Sequence, residues 1–324
     1  MQDRYGRTID YIRISITDRC NLRCMYCMPQ EGIELCKCDD ILRYEEIIRL
    51  CRIFESLGIS KIKITGGEAL VRKDALDLIR GIKAIDGIKQ VTLTTNGVLL
   101  EKYLDELVEA KIDGINISLD TLNAEEFKRI TRIGDVETVK KALQKVLTHK
   151  DLNIKLNCVP FDTSKQNIID LVGIAKENNV HIRFIEVMPI GFGKLFQFLG
   201  EDQIKQQIEK VYGKMKPFEQ KLGNGPSHYY SLDGFQGKIG FISAISHKFC
   251  HECNRIRLTC TGYLKTCLQY DFGVDLRALL RSGASDEQIK MAIEKAIMAK
   301  PLEHSFLDTS IESEEQATMS AIGG

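Results

Sequence analysis

The feature that most constrains the fold is a repeated alternation of β-rich runs and amphipathic stretches along the first two thirds of the chain. The β-rich runs are Tyr11–Thr17, Lys61–Thr65, Gln90–Thr95, Gly114–Asp120, Asn153–Val159 and Val180–Val187. Between them lie stretches with helical apolar spacing at Tyr44–Leu57, Lys73–Ile85, Glu101–Ala110, Val136–Thr148 and Lys165–Asn178. Such alternation builds parallel strands joined by right-handed helical crossovers. Six units fall short of the eight that close a barrel, so the expected fold is α/β, a partial (βα)6 TIM-like barrel with reactive groups at the C-terminal ends of its strands. From about Lys216 the pattern becomes hairpin-like, at His228–Leu232 and Lys238–Ser243 around Asp233-Gly234, and ends in a helix near Ser285–Ala299. The expected organisation is a barrel over 1–215, closed by a connector helix at Glu201–Tyr212, and a C-terminal α+β appendage over 216–324.

Composition narrows the function. Lys plus Arg equals Asp plus Glu at 45 each, so no global field steers nucleic acid, and an anionic ligand must be held by a few placed cations. Met1 is followed by charged Asp3, Arg4 and Arg7, and no apolar stretch reaches membrane-span length, so no membrane partner and a cytoplasmic location are expected. Eleven cysteines, an odd number, then point to metal or redox chemistry rather than a disulfide framework.

Cys20, Cys24 and Cys27 form a CxxxCxxC triplet directly after the first predicted strand. Three thiolates on one loop can hold three corners of a cubane iron–sulfur cluster and leave the fourth iron open to a small molecule. A structural zinc knuckle is the competing reading, though structural zinc prefers four ligands and CxxC pairs. With Tyr26 before the last cysteine and Asn-Leu-Arg in the first gap, the segment resembles the signature of radical S-adenosylmethionine (SAM) enzymes. That resemblance implies SAM on the open iron and a 5′-deoxyadenosyl radical made by one-electron cleavage. Thr65-Gly66-Gly67-Glu68 ends the second strand, where glycine lets backbone approach a ligand, while Ala69 stands where that superfamily commonly has proline.

A second group, Cys250 and Cys253 followed after thirteen residues by Cys267, again offers three thiols. Between them, the alternation in Arg255-Ile256-Arg257 places two guanidinium groups on one side of a strand, suited to phosphate held bidentately beside a cluster with an open iron. Zinc completed by His247, His251 or Cys260 remains open on spacing alone. The whole set of motifs, CxxxCxxC, TGGE, TTNG, ISLD, Lys155 in IKLN, EVMP, C-x2-C-NRIR-x9-C and a terminal Gly323-Gly324, resembles the GTP 3′,8-cyclase family of molybdenum-cofactor biosynthesis.

The resemblance implies two 4Fe-4S clusters, the first on Cys20, Cys24 and Cys27 and the second on Cys250, Cys253 and Cys267. It implies SAM contacts at Tyr26, Gly67, Ser118 and Met188, and GTP contacts at Arg13, Lys63, Thr94, Lys155, Arg255, Ile256 and Arg257. Arg255, Arg257, Gly323 and Gly324 would serve catalysis. The implied reaction takes hydrogen from C3′ of the GTP ribose and joins that carbon to guanine C8, giving (8S)-3′,8-cyclo-7,8-dihydroguanosine 5′-triphosphate. Implied partners are an external electron donor, a downstream cyclic pyranopterin monophosphate synthase and, as one arrangement, a homodimer. Lys63 departs from the family's more usual arginine and loses the planar fork. Read without the resemblance, Arg13 and Lys155 are ordinary strand residues, Met188 is core filler and Gly323-Gly324 a frayed tail. The rival classes are a radical SAM peptide maturase with an auxiliary cluster and a non-catalytic zinc protein.

Overall fold

A computed structural model describes residues 1–161, 166–306 and 318–323. Its frame is one twelve-stranded sheet. Six strands come from the alternating region: β1 (Tyr11–Ser15), β2 (Lys61–Thr65), β3 (Gln90–Thr95), β4 (Gly114–Ser118), β5 (Asn153–Cys158) and β6 (His181–Ile185). They lie side by side in sequence order, all parallel. Helices α1 (Tyr44–Ser56), α2 (Ala75–Lys83), α3 (Leu100–Glu109), α4 (Ala124–Thr131), α5 (Val136–Leu147) and α6 (Ile168–Glu177) make the crossovers. Each strand alternates, with Ile12, Ile14, Ile62, Ile64, Val91 and Leu93 fully buried against the helices, so the intervening residues face the barrel interior. Burying these aliphatic side chains contributes roughly 1.5–3 kcal/mol each.

The C-terminal third is laid onto both edges of this sheet. After α7 (Glu201–Tyr212) come β7 (Lys216–Phe218), β8 (His228–Ser231), β9 (Ile239–Ile242), β10 (Arg255–Leu258), β11 (Tyr263–Lys265) and β12 (Gly273–Asp275). Strand β9 pairs parallel with β6 and carries β8 and β7 antiparallel beyond it. Strand β10 pairs parallel with β1 and carries β11 and β12. The expected boundary near residue 215 falls between α7 and β7, and the sheet runs on across it. The remaining helices are α8 (Leu276–Arg281), α9 (Asp286–Met298), whose Ile289, Ile293 and Ile297 are fully buried, and a single turn, α10 (Met319–Ile322).

The parallel pairing of β10 to β1 fixes the ends of the molecule. Cys20, Cys24 and Cys27 follow β1 and so lie at the C-terminal end of the parallel strands. Cys250 and Cys253 precede β10, and Cys267 follows the antiparallel β11, so this group lies at the opposite, N-terminal end. Sequence reading gathers the motifs after β1 to β4 on one face, and they lie there; the second cysteine group takes the other.

Candidate functional site

At the C-terminal end of the strands a cavity of about 250 Å³ opens. Cys20, Cys24 and Cys27 line it, together with Tyr26, Gly67, Ser118 and Met188. The glycines here are required by packing. The Gly67 N–H donates to Thr17 O at 2.6 Å, and a Cβ on Gly67 would stand 2.5 Å from Arg19 O. A Cβ on Gly66 would meet Thr17 O at 2.7 Å. The TGGE turn therefore lies against the backbone that leads into the cysteine loop, and only glycine permits that approach. Glu68, buried, then accepts from the N–H of Leu70 at 3.0 Å, from Thr95 Oγ1 at 2.9 Å and from the N–H of Asn96 at 2.6 Å, tying this turn to the end of β3. Burial raises its pKa, and these three donors oppose the rise.

The cysteine loop is held from several sides. The N–H of Leu22 lies 3.4 Å from Cys20 Sγ and Asn96 Nδ2 lies 3.8 Å from it. Arg132, left-handed at φ 65° at the end of α4, donates to the carbonyls of Arg23 at 3.1 Å and Met28 at 2.8 Å. The Tyr26 hydroxyl donates to Asp120 Oδ2 at 3.0 Å, and the N–H of Val159 donates to Oδ1 at 2.8 Å. Burial pushes the Asp120 carboxyl up to about 6, against the pull of those two donors. Burial likewise pushes the Cys27 thiol up to about 12, with nearby Cys20 adding to it and hydrogen bonds from Ser320 opposing it. Such thiols shed their protons when a metal group neutralises the charge. Three thiol donors on one wall, with N–H donors aimed at the sulfur of Cys20, fit a cluster ligated at three corners. Among the described residues, no three Cys, His, Asp or Glu side chains are gathered tightly enough for a single ion.

A second cavity of about 100 Å³ continues toward the N-terminal end and shares Arg13, Thr94, Asn157 and Ile185 with the first. The two adjoin along the barrel axis at these four residues. The lower cavity is lined by Arg13, Lys63, Lys155, Arg183 and Arg255. Strand register places them: Arg13 stands beside Lys63 on β2 and Arg257 on β10, and Tyr11 beside Arg255. The carboxylate on this wall, Asp113, is already engaged by Lys83 at 2.8 Å and by the N–H of Val91 at 2.6 Å. The electrostatic result is mutual suppression. Burial, then Arg183, Arg13, Lys155 and Arg255, hold Lys63 well below its usual range. Burial, then Arg183, bring Lys155 down to about 7. Buried cations arranged in this way call for an anion.

Arg257 occupies a different place from Arg255. It lines the upper cavity, and its Nη1 donates to Gly323 O at 2.7 Å. Gly323 ends the α10 turn, whose Met319 and Ser320 also line that cavity. Gly324 lies outside the described residues. Ile256 faces away from the barrel interior into the hydrophobic core, 1% exposed, so its side chain lines neither cavity. Cys250, Cys253 and Cys267 are not on the cavity walls, but Arg255 Nη2 lies 3.9 Å from Cys253 Sγ. Burial works to raise Cys253, yet Arg255 and Lys300 outweigh it and draw the thiol down to about 6, as suits a thiolate ligand. Sequence reading passed over Arg183, which donates to Asn157 Oδ1 and Asn116 Oδ1. Its alternation with Ile182 and Phe184 is the signal that Lys155 also carries.

The radical SAM superfamily profile matches residues 14–182, and one described as Molybdenum Cofactor Synthesis C matches residues 180–306. The chain is 44% identical to the GTP 3′,8-cyclase of Clostridium perfringens (strain 13 / Type A), with 100% of each covered. It is 45% identical to that of Syntrophomonas wolfei, again with 100% of each covered. Molybdenum cofactor biosynthesis protein 1 of Dictyostelium discoideum is 42% identical over 94% of this chain and 49% of its own length. Among solved structures, Streptococcus suis SuiB bound to S-adenosylmethionine superposes with a TM-score of 0.64 at 14% identity, covering 97% of this chain and 77% of SuiB, which shows the shared fold. With full-length relatives at this identity and both profiles in sequence, the chain belongs to the GTP 3′,8-cyclase family of the radical SAM superfamily.

Proposed function

We propose that the chain converts GTP to (8S)-3′,8-cyclo-7,8-dihydroguanosine 5′-triphosphate, the first step toward molybdopterin, using two 4Fe-4S clusters and SAM. The observation that carries this is the pair of adjoining cavities, the upper lined by the first cysteine group and the lower by cations. A ligand seated there has phosphates among Arg13, Lys63, Lys155, Arg183 and Arg255 and its ribose toward the upper cavity. Cys20, Cys24 and Cys27 would hold the first cluster and Cys250, Cys253 and Cys267 the second. The first cluster, when bound, supplies the one-electron cleavage of SAM.

The chain's own residues orient and enclose. Tyr26, Gly67, Ser118 and Met188 would seat SAM beside the cysteine loop, with Asp120 fixing the Tyr26 hydroxyl. Arg255, next to Cys253, would place the nucleotide between the lower cations and the second cluster. Thr94, on the wall of both cavities, marks the level at which ribose passes from one to the other. The α10 turn and Gly323 would close the upper mouth and keep water from the reacting carbon. The proposal extends to an external electron donor, a homodimer, a cytoplasmic location and a cyclic pyranopterin monophosphate synthase as consumer of the product.

The test uses anaerobically reconstituted protein with SAM, a chemical reductant and GTP deuterated at C3′. The expected result is deuterium in 5′-deoxyadenosine and a cyclised triphosphate by mass spectrometry. Transfer from C2′ instead, or cleavage of SAM with no nucleotide product, would refute it.

A further inference from the structure

The lower cavity is floored by a segment that none of the motifs contains. Gly223, Asn224, Gly225 and Pro226, in the connection between β7 and β8, line it between Lys155 and Asn254, the residue that follows Cys253. The segment presents almost no side chain. A Cβ built on Gly223 would stand 3.3 Å from Lys155 Nζ, so a larger residue there would crowd the lysine head directly. Among the described residues, the backbone N–H groups of Gly223, Asn224 and Gly225 donate to no backbone carbonyl. The loop is nonetheless tied down: Asn254 Nδ2 lies 3.4 Å from Asn224 O and 2.7 Å from Asp10 Oδ1, and Asp10 in turn accepts from Lys61 Nζ at 2.6 Å.

We propose that Gly223-Asn224-Gly225 meets the distal phosphate of the nucleoside triphosphate and sets the length of phosphate chain the site accepts. This rests on the GTP reading above. The base belongs toward Cys253 on the β10 side. The ribose belongs toward the upper cavity, and the phosphates then run across to Lys155 on β5 and Arg183 on β6. Gly223 abuts Lys155, so whichever phosphate Lys155 holds is also the one the loop faces. A backbone flanked by glycines lets a phosphate approach closely, and here it does so beside clustered cations. A diphosphate would end short of it.

The experiment measures GTP and GDP binding to the reconstituted holoenzyme by anaerobic calorimetry, in the unmodified protein, Gly223→Ala and Gly223→Val. The expected result is a preference for GTP over GDP that shrinks in order of side-chain size. Gly223→Val should lose about tenfold or more in GTP affinity while GDP affinity changes less than about threefold, the loss matching one charge-assisted hydrogen bond. Retained GDP and SAM binding shows that the variants are folded, and Gly223→Ala gives a milder reading should the valine prove disruptive. Equal weakening of both nucleotides, or no change in either, would overturn the proposal. Failure of the GTP reading itself looks different, since the unmodified protein would then neither bind GTP nor yield cyclised product.

Discussion

Replacing Gly323 with alanine tests whether the C-terminal turn is part of the machinery. Gly323 sits at φ 92°, in the left-handed half of backbone space, and a Cβ there would lie 2.6 Å from the Cβ of Ser15 on β1. Ser15 is 1% exposed and fixed by pairing with Thr65, so it cannot yield. The backbone conformation alone costs a non-glycine residue about 1–2 kcal/mol. Moving the turn away also breaks the Arg257 Nη1 to Gly323 O hydrogen bond of 2.7 Å, and bonds to charged donors are worth about 1.5–3 kcal/mol. Together these disfavour the docked turn by about 2.5–5 kcal/mol, or roughly two to three and a half orders of magnitude in its population. That contact touches neither the barrel core nor a cysteine; Ser320 in the same turn does hydrogen-bond Cys27, so with the turn moved the first cluster rests on its three thiols alone. The expected outcome for Gly323→Ala is therefore intact iron content, an unchanged melting temperature and SAM binding, with cyclised product reduced at least about thirtyfold, as expected of a loss exceeding 2 kcal/mol. Iron and sulfide analysis, calorimetry and quantified product measure these. Product formation within about twofold of the unmodified protein would show that the turn is a bystander.

Other outcomes follow from the two-ended arrangement. Cys24→Ser should abolish SAM cleavage, whereas Cys253→Ser should leave cleavage of SAM measurable by 5′-deoxyadenosine release yet stop nucleotide conversion; equal loss in both would defeat the division of labour. Arg255→Ala should weaken GTP binding by roughly one to two orders of magnitude, from a charge-assisted contact of about 1.5–3 kcal/mol, and leave SAM affinity alone. Lys155, brought to about 7 in the free protein, should take up a proton when the triphosphate arrives, because an anion raises the lysine's pKa. GTP affinity should thus fall as pH rises above 7, and calorimetry in buffers of different ionisation enthalpy should record the proton uptake; Lys155→Met should diminish both effects, the remainder belonging to Lys63, which burial and its neighbouring cations also hold low. For the ligand-free protein the sign reverses. The unfolded chain binds the Lys155 proton up to its ordinary pKa and the folded chain does not, so this group adds stability as pH rises from 7 toward 10.

The barrel was legible because its signals are local. Period-two runs such as Lys61–Thr65 and Gln90–Thr95 carry β-branched residues between amphipathic helices, and the observed strands coincide with them. The cysteine triplet and the TGGE turn were legible for the same reason, since each lies within one short segment. What escaped depends on pairing between distant segments. Arg255 and Arg257 were placed on one side of a strand, yet only the sheet register reveals that Arg13 stands between Arg257 and Lys63 and that the second cysteine group lies at the far end. The division of the two arginines, one toward Cys253 and one toward Gly323, is likewise set by sheet geometry. The Gly223–Pro226 floor has no periodicity at all, and its importance comes from what sits above it.

The way β9 and β10 cap the sheet also dictates when this protein can finish folding. Strand β1 is among the first segments made, but its outer neighbour β10 comes from the far end of the chain, with Asn254 reaching back 244 residues to Asp10. Until β9 leaves the ribosome the nascent barrel carries two raw edges, β6 and β1, and the β1 edge stays open until β10 follows, each with a row of unpaired N–H and C=O groups beside an interior crowded with like charges. Exposed edges of that kind recruit other strands, and pairing across so long a separation is slow. Synthesis therefore passes through a prolonged stage in which the chain needs shielding from its neighbours. A fragment ending at residue 215 would be held permanently in that stage.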